Sequence, residues 1–398
     1  MNKKISLGAA IALMFVVASI TVSITMVFSM QVFNGLMADL QARDNLMEKV
    51  EEIDTLVRDR FNGTIEEEKL LDSLSEGYLS GIGDKYARYY TAEEYADMLN
   101  EYNGKITGIG VAASKDESGY IRVDEIYDGS PAAAEGLVVG DLIVKVEGED
   151  VVTLGYEKAI SRITGEAGTS AKLTVRREGV ETDYTITRRV VEVPTVKYRM
   201  NGTNGIIQIT EFNTNTPTQF RAAVSDCINQ GATGLVFDVR NNPGGVLDAV
   251  TEMLDYLCPE GTVVTLRYKD GTTKTIRSDA DSVKLPMTVL INGSSASGAE
   301  LFAQALKDIR KSQAVLIGTT TYGKGVMQET FKLTDGSAVS LTVAYYDPPT
   351  SPNYDGVGVK PDYEVVLSAE EQNNADSLTD DTDPQIKKAL EIIGALKR

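Results

Sequence analysis

Two short motifs carry the residues that could do chemistry: N-G-S-S-A-S-G-A-E at 292–300 and Y-G-K-G-V-M-Q at 322–328. They offer the hydroxyl of Ser297 and, 27 positions later, the amine of Lys324. A serine nucleophile needs a group to take its proton, and the 398 residues include no histidine, so a Ser-His-Asp arrangement is impossible. Lysine, a carboxylate, tyrosine or a metal-bound water remain as bases.

Ser297 follows an apolar strand pattern, M-T-V-L-I-N, and opens a helical one, S-G-A-E-L-F-A-Q-A-L. A helix N-terminus offers unpaired N–H donors and partial positive charge, both useful where an oxyanion develops. The plainer reading is a helix cap, with Glu300 in the capping-box position. Lys324 can act as a base only as a free amine, which requires burial and no carboxylate to hold its proton. It sits between two glycines, and Gln328, four residues along an expected strand, shares its face and could orient the amine. The stretch from Gly318 to Lys324 also matches a phosphate loop, but Gly325 stands where that loop needs Ser or Thr, and a strand pattern follows where it needs a helix. A third motif, D-V-R-N-N-P-G-G at 238–245, runs from a strand end into a glycine pair, where backbone N–H groups can face an oxyanion or simply make a turn.

These motifs belong to a stretch from Thr195 onward in which apolar strands alternate with helices at 216–229, 247–257 and 297–310, the pattern of a layered α/β core. Ahead of it, residues 104–188 read as short strands around a helical stretch at 156–163. G-I-G-V (Gly108, Ile109, Gly110, Val111), S-P-A-A-A-E-G-L at 130–137 and G-D-L-I at 140–143 make this segment resemble a PDZ domain of the bacterial type. That resemblance implies capture of a peptide C-terminus by strand addition, its carboxylate held by the N–H groups of the glycine loop.

From 5 to 28 no residue is charged, long enough for a helix to cross a hydrocarbon core of roughly 30 Å. Lys3 and Lys4 precede this run and acids follow it, so an uncleaved transmembrane signal-anchor is expected to export the rest; a cleaved signal peptide is the alternative. Residues 30–103 read as a helical stalk or cap with an apolar stripe at Leu46, Val50, Ile53, Leu56 and Val57, a spacer or a face for a second copy of the chain. After the core (189–370), residues 371–398 read as an acidic linker and a loosely attached helix. With 39 basic and 58 acidic residues, a net charge of −19 repels phosphate backbones and argues against nucleic acid as a partner. Cys227 and Cys258, on separate helical patterns, are expected as buried thiols, and without histidine or CxxC spacing no metal site is expected.

From about Leu71 to the C-terminus the chain closely resembles the C-terminal processing peptidases, tail-specific serine peptidases with a Ser-Lys dyad and a PDZ domain. The family pattern S-A-S-x-x-E is met by Ser295, Ala296, Ser297 and Glu300, F-G-K-G-x-x-Q as Y-G-K-G-V-M-Q, and D-x-R-x-N-P-G-G without change. The resemblance implies Ser297 as nucleophile, Lys324 as general base, Gln328 as its orienting partner, and Gly298 with either Gly244 or Gly245 as oxyanion donors. Together with the apolar N-terminal run it implies an α+β/α/β multidomain protein with a ClpP/crotonase-like core, a membrane-anchored extracytoplasmic endopeptidase acting on exposed protein C-termini without a cofactor and compatible with a homodimer. One departure concerns coupling between the modules: many members carry arginine before the Gly-x-x-Gly at the PDZ helix end, whereas Thr164 precedes Gly165 here, with Arg162 out of register. A PDZ adaptor without catalysis, or a crotonase-like acyl-transfer enzyme, are the competing readings.

Overall fold

The computed structural model describes residues 6–397 in two compact units, 1–73 and 74–398. Lys3, Lys4 and Ile5 lie outside the described residues. In the first unit a single helix runs over Leu7–Arg60, started by Ser6, whose hydroxyl accepts the Ala9 N–H. Its N-terminal part is long and apolar enough to cross a membrane by length and composition. Further along, Leu46, Ile53 and Leu56 are exposed, while Val50 and Val57 are half-buried.

The expected stalk does not stay helical to its end. The helix Glu67–Gly81 gives way to a strand, Arg88–Tyr90, and then the helix Ala92–Tyr102. The strand pairs with Ala338–Asp347 at the edge of a five-stranded antiparallel sheet in the peptidase half. Sequence periodicity missed it because three residues are too few to show alternation.

The segment compared with a PDZ domain is a six-stranded antiparallel sheet with the helix Tyr156–Ile163 across it, closing on a core that includes Ile121, Val123, Ile143, Leu173 and Ile186. The stretch I-T-G-I-G-V-A-A-S is two strands, Lys105–Gly108 and Val111–Lys115, broken at Ile109 and Gly110. Gly110 has φ 76°, and a Cβ there would fall 2.4 Å from the Ser130 Cβ, so glycine is required at the break. The aspartate of G-D-L-I, Asp141, is buried, accepts two hydrogen bonds from the Arg177 guanidinium at 2.7 Å and a third from the Val138 N–H.

The central sheet of the peptidase half runs Val196–Asn201, Asn204–Ile209, Gly234–Asp238, Met287–Ile291, Ala314–Gly318, Tyr363–Glu364, parallel except for its first strand. Ile207, Leu235, Phe237, Val289 and Leu316 face the helices Thr216–Asn229, Leu247–Leu257 and Gly298–Arg310. The alternate residues, Ile206, Val236, Leu290 and Ile317, face the opposite way. They pack against Ile386, Ala389, Ile392 and Ile393 of the helix Pro384–Leu396. The C-terminal helix is therefore not loosely attached: it covers the second face of a sheet whose strands are apolar on both sides. Ile393 is fully buried, and Ile393→Ala is expected to destabilise the protein by about 2–5 kcal/mol. A urea melt identical to that of the parent protein would mean that the helix contributes nothing to the fold.

Cys227 and Cys258 are both free and buried, as their apolar helical settings suggest.

Candidate active site

The helix Gly298–Arg310 is fixed from below. Phe302 packs edge-on against Phe220 and Phe237, with ring centroids 6.3 and 5.7 Å apart. Its N-terminus is thereby held above the C-terminal end of the strand Met287–Ile291. Ser297, 8% exposed, has φ 53° and ψ −113°. A β-carbon makes that backbone region costly, so the surroundings must enforce it.

They do so through Glu300. The expected capping box is present, its Glu300 arm running from the Ser297 N–H to Glu300 Oε2 at 2.8 Å. Glu300 does more than cap: fully buried, it also accepts the Lys324 N–H on Oε2 at 2.8 Å, and on Oε1 the Gly323 N–H at 2.7 Å and the Thr321 hydroxyl. One carboxylate oxygen thus holds the backbones of both Ser297 and Lys324. The Tyr322 N–H, donating to the Ser295 carbonyl at 3.0 Å, adds a second tie between the two motifs.

The D-V-R-N-N-P-G-G turn closes on the same helix end. Asn242 donates its side-chain amide to the Ile209 carbonyl, accepts the Gly244 N–H at 2.8 Å on Oδ1, and accepts the Ala296 N–H on its backbone carbonyl. A Cβ on Gly244 would stand 2.8 Å from both Gly298 N and the Ser297 Cβ, so only glycine permits this approach. The sequence left the two glycines of the pair equivalent, and the structure separates them. The Gly244 N–H is engaged by Asn242, whereas the N–H groups of Gly245 and Gly298 have no hydrogen-bond partner among the described residues. Arg240 of the same motif points away, to Asp238, Asp383 and Gln385, fastening the start of the C-terminal helix.

Lys324 is partly buried, and its amine lies 4.8 Å from the centroid of the Tyr86 ring. Desolvation holds its pKa below the ordinary lysine value, opposed by the charges of Asp84 and Glu300 and assisted by Lys85. The expectation of a site free of carboxylates is thus corrected: two are near, and burial outweighs them. Among the described residues no hydrogen bond joins the Lys324 amine to Ser297 or to Gln328. Lys324 precedes the strand Val326–Lys332, which is irregular between Met327 and Gln328, so the shared face expected for residues four apart is lost. Gln328 instead donates to the Thr342 hydroxyl at 3.0 Å. The same strand, where a phosphate loop would require a helix, rules out that reading of Gly318 to Lys324.

Sequence reasoning gave no role to Asn242 and saw Glu300 only as a cap. Both were visible as members of motifs, but their partners were not. Asp84 and Tyr86 carried no signal.

In the small domain the carbonyls of Ile109 and Gly110 accept the Ala132 and Tyr127 N–H groups, while the N–H groups of Ile109 and Gly110 have no partner among the described residues. This loop, with Gly108 and Val111, borders a cavity of about 220 Å³ between the strand Val111–Lys115 and the helix Tyr156–Ile163, lined mainly by isoleucines. The Tyr156 hydroxyl donates to the Ala113 carbonyl across it at 3.0 Å. At the far end of the helix Arg188, 8% exposed, donates to the carbonyls of Arg162, Ile163 and Ser170 and to the Thr169 hydroxyl. Arg162 itself pairs with Glu149. The helix end therefore does have a buried arginine, supplied from the neighbouring strand pair rather than from the position before Gly165.

Comparison with known proteins agrees with these parts. The sequence model of peptidase family S41 matches residues 203–365, and that of a PDZ domain matches residues 122–177. The "Carboxy-terminal-processing protease" of Bartonella bacilliformis is 34% identical over 319 residues, covering 78% of this chain and 72% of that protein. A "Probable CtpA-like serine protease" of Staphylococcus aureus is 31% identical over 359 residues, covering 89% and 71%. The crystal structure of an S41-type protein from Bacteroides fragilis shares the fold, with a TM-score of 0.55 and 20% identity over 81% of this chain and 90% of that one. Identity at this level across more than two thirds of both chains, together with the matched peptidase and PDZ segments, places this chain in peptidase family S41, among the serine proteases that process carboxy termini.

Proposed function

We propose that Ser297 is the nucleophile and Lys324 its general base, and that the oxyanion is held by the Gly298 and Gly245 N–H groups. The observation that carries this reading is the Glu300 carboxylate, which ties the backbone of a strained serine to that of a lysine whose amine burial keeps prone to lose its proton. Ser297 Oγ attacks the scissile carbonyl carbon while its proton passes to Lys324 Nζ; the tetrahedral oxyanion collapses, and Lys324 returns the proton to the departing amine. Water then hydrolyses the acyl-serine by the same two transfers. Gln328 is linked to the amine only indirectly, through Thr342, Asp84 and Tyr86. A fluorophosphonate probe is expected to label Ser297, read by peptide mass mapping; labelling of any other serine sinks the assignment.

The loop of Gly108, Ile109, Gly110 and Val111 is read as the seat of a substrate's terminal carboxylate, with the cavity beside it accepting a small apolar C-terminal side chain. The parallel sheet covered by helices on both faces supports a ClpP/crotonase-like core. The helix Leu7–Arg60 is read as a membrane anchor with the remainder extracytoplasmic. The exposed Leu46, Ile53 and Leu56 on that helix suit a homodimer. Carbonate extraction of membranes from the source cell separates the anchor from a cleaved leader, since only the anchored chain stays in the pellet.

A further inference from the structure

The loop between Gly81 and Arg88 precedes the PDZ domain and belongs to neither motif, yet it reaches the base. Tyr86 lies with its ring centroid 4.8 Å from Lys324 Nζ and 4.6 Å from Lys85 Nζ, so two amines share one aromatic ring. The Tyr86 hydroxyl is buried with no hydrogen-bond partner among the described residues, and both amines lie over the ring. The loop is anchored by Asp84, which accepts the Tyr86 N–H at 3.0 Å and the Thr342 N–H at 3.1 Å. Thr342 also receives Gln328, and the neighbouring strand Arg88–Tyr90 pairs along the same strand, Ala338–Asp347. A continuous chain of contacts thus runs from Gln328 through Thr342 and Asp84 to Tyr86 and the amine.

We propose that Tyr86 is a positioning residue for the general base: its ring seats the Lys324 amine, Asp84 and Thr342 seat the ring, and Lys85 on the same ring biases the amine towards its free form. The inference rests on Lys324 being the base. A lysine stem has four rotatable bonds, and with no hydrogen bond to its amine from Ser297 or Gln328, a flat apolar wall is what restricts it. An aromatic face also attracts an ammonium, which would hold the proton on. The second cation opposes that, because two positive charges on one ring repel. The charged groups acting on Lys324 are Asp84 and Lys85 from this loop and Glu300 from the helix Gly298–Arg310; Tyr86 foremost, then Tyr322 and Asp355, act on Lys85.

The test is the pH profile of kcat and KM for the full chain on an internally quenched peptide, at low ionic strength. Tyr86→Leu is expected to lower kcat roughly 10- to 100-fold with KM changed less than about twofold, the pattern of a displaced catalytic group rather than lost binding. Tyr86→Phe, which keeps the ring, is expected to recover most of that loss. Lys85 is exposed, so its variants should fold. Lys85→Gln is expected to move the acid limb of kcat/KM to higher pH, and Lys85→Glu to move it further, since removing a neighbouring positive charge lets Lys324 hold its proton longer. Wild-type kcat in Tyr86→Leu, or an acid limb unmoved in both Lys85 variants, overturns the proposal. Lys324→Ala is measured alongside: if it is inactive while Tyr86→Leu is fully active, only the positioning role fails, and if it is active the assignment of the base fails with it.

Discussion

Ser297→Ala and Lys324→Met are each expected to lower peptide hydrolysis by at least about three orders of magnitude, since either change removes one member of the proposed dyad. A structural role would make the same substitutions destabilising. Here stability is expected to move the other way for Ser297→Gly and Lys324→Met. Ser297 occupies φ 53°, a conformation that costs a non-glycine residue about 1–3 kcal/mol, so Ser297→Gly should raise the unfolding midpoint while abolishing activity. Lys324→Met shortens the side chain by only one atom and removes an amine that burial disfavours.

The pH dependence of that second gain follows from linkage. The Lys324 pKa is lowered in the folded protein, so between that value and the ordinary lysine value the unfolded chain binds more protons, and stability rises with pH. The gain from Lys324→Met is therefore largest below the folded pKa and fades as pH rises towards the ordinary value. With Lys324 as the proposed base, activity is expected to rise with pH through the same folded pKa. Urea melts at several pH values, paired with kcat/KM, check both. A Lys324→Met protein less stable than its parent at neutral pH would show that the amine holds the fold together and is not a base kept ready.

The second large effect concerns Glu300. In Glu300→Ala the N–H groups of Ser297, Gly323 and Lys324 and the Thr321 hydroxyl lose a buried acceptor together. Each unsatisfied buried donor costs about 1–3 kcal/mol, and water entering the space can recover part of this, so a loss of several kcal/mol is expected. Glu300→Gln tests the charge at nearly constant volume. One oxygen of the carboxylate becomes an NH₂ that must face N–H donors, so at least one pair of contacts turns repulsive. Both variants are expected to be inactive, because the strained serine and the lysine are no longer held to one point. Thermal melts and peptide hydrolysis check this, and a Glu300→Gln protein with parental activity and midpoint would remove the carboxylate from any organising role.

Much of the core was legible because its signals are local. The strands at 204–209, 234–238, 287–291 and 314–318 are short apolar runs between turn residues, and the helices at 216–229 and 247–257 fall where the pattern placed them. The strand Arg88–Tyr90 and the packed C-terminal helix were misread, because what decides each is the partner it meets. Pro384–Leu396 is amphipathic in sequence, and only the far face of the central sheet shows what its apolar side covers. Gln328 was misplaced for a related reason: a face rule for strands fails where the lysine lies before the strand and the ladder is irregular.

The sequence by itself determined which chemical groups this protein can use. Without histidine, any serine nucleophile must be served by another base, and the glycines around Lys324 and at 244–245 marked where backbones approach closely. Only the tertiary structure decided how those groups are set. It engaged the Gly244 N–H and left that of Gly245 without a partner among the described residues, drew two motifs onto one Glu300 carboxylate, and brought Tyr86 from a loop more than two hundred residues away against the amine. Composition and spacing specify donors, acceptors and dihedral freedom residue by residue. Hydrogen-bond saturation and desolvation belong to an assembled neighbourhood, and they exist only once distant segments have packed.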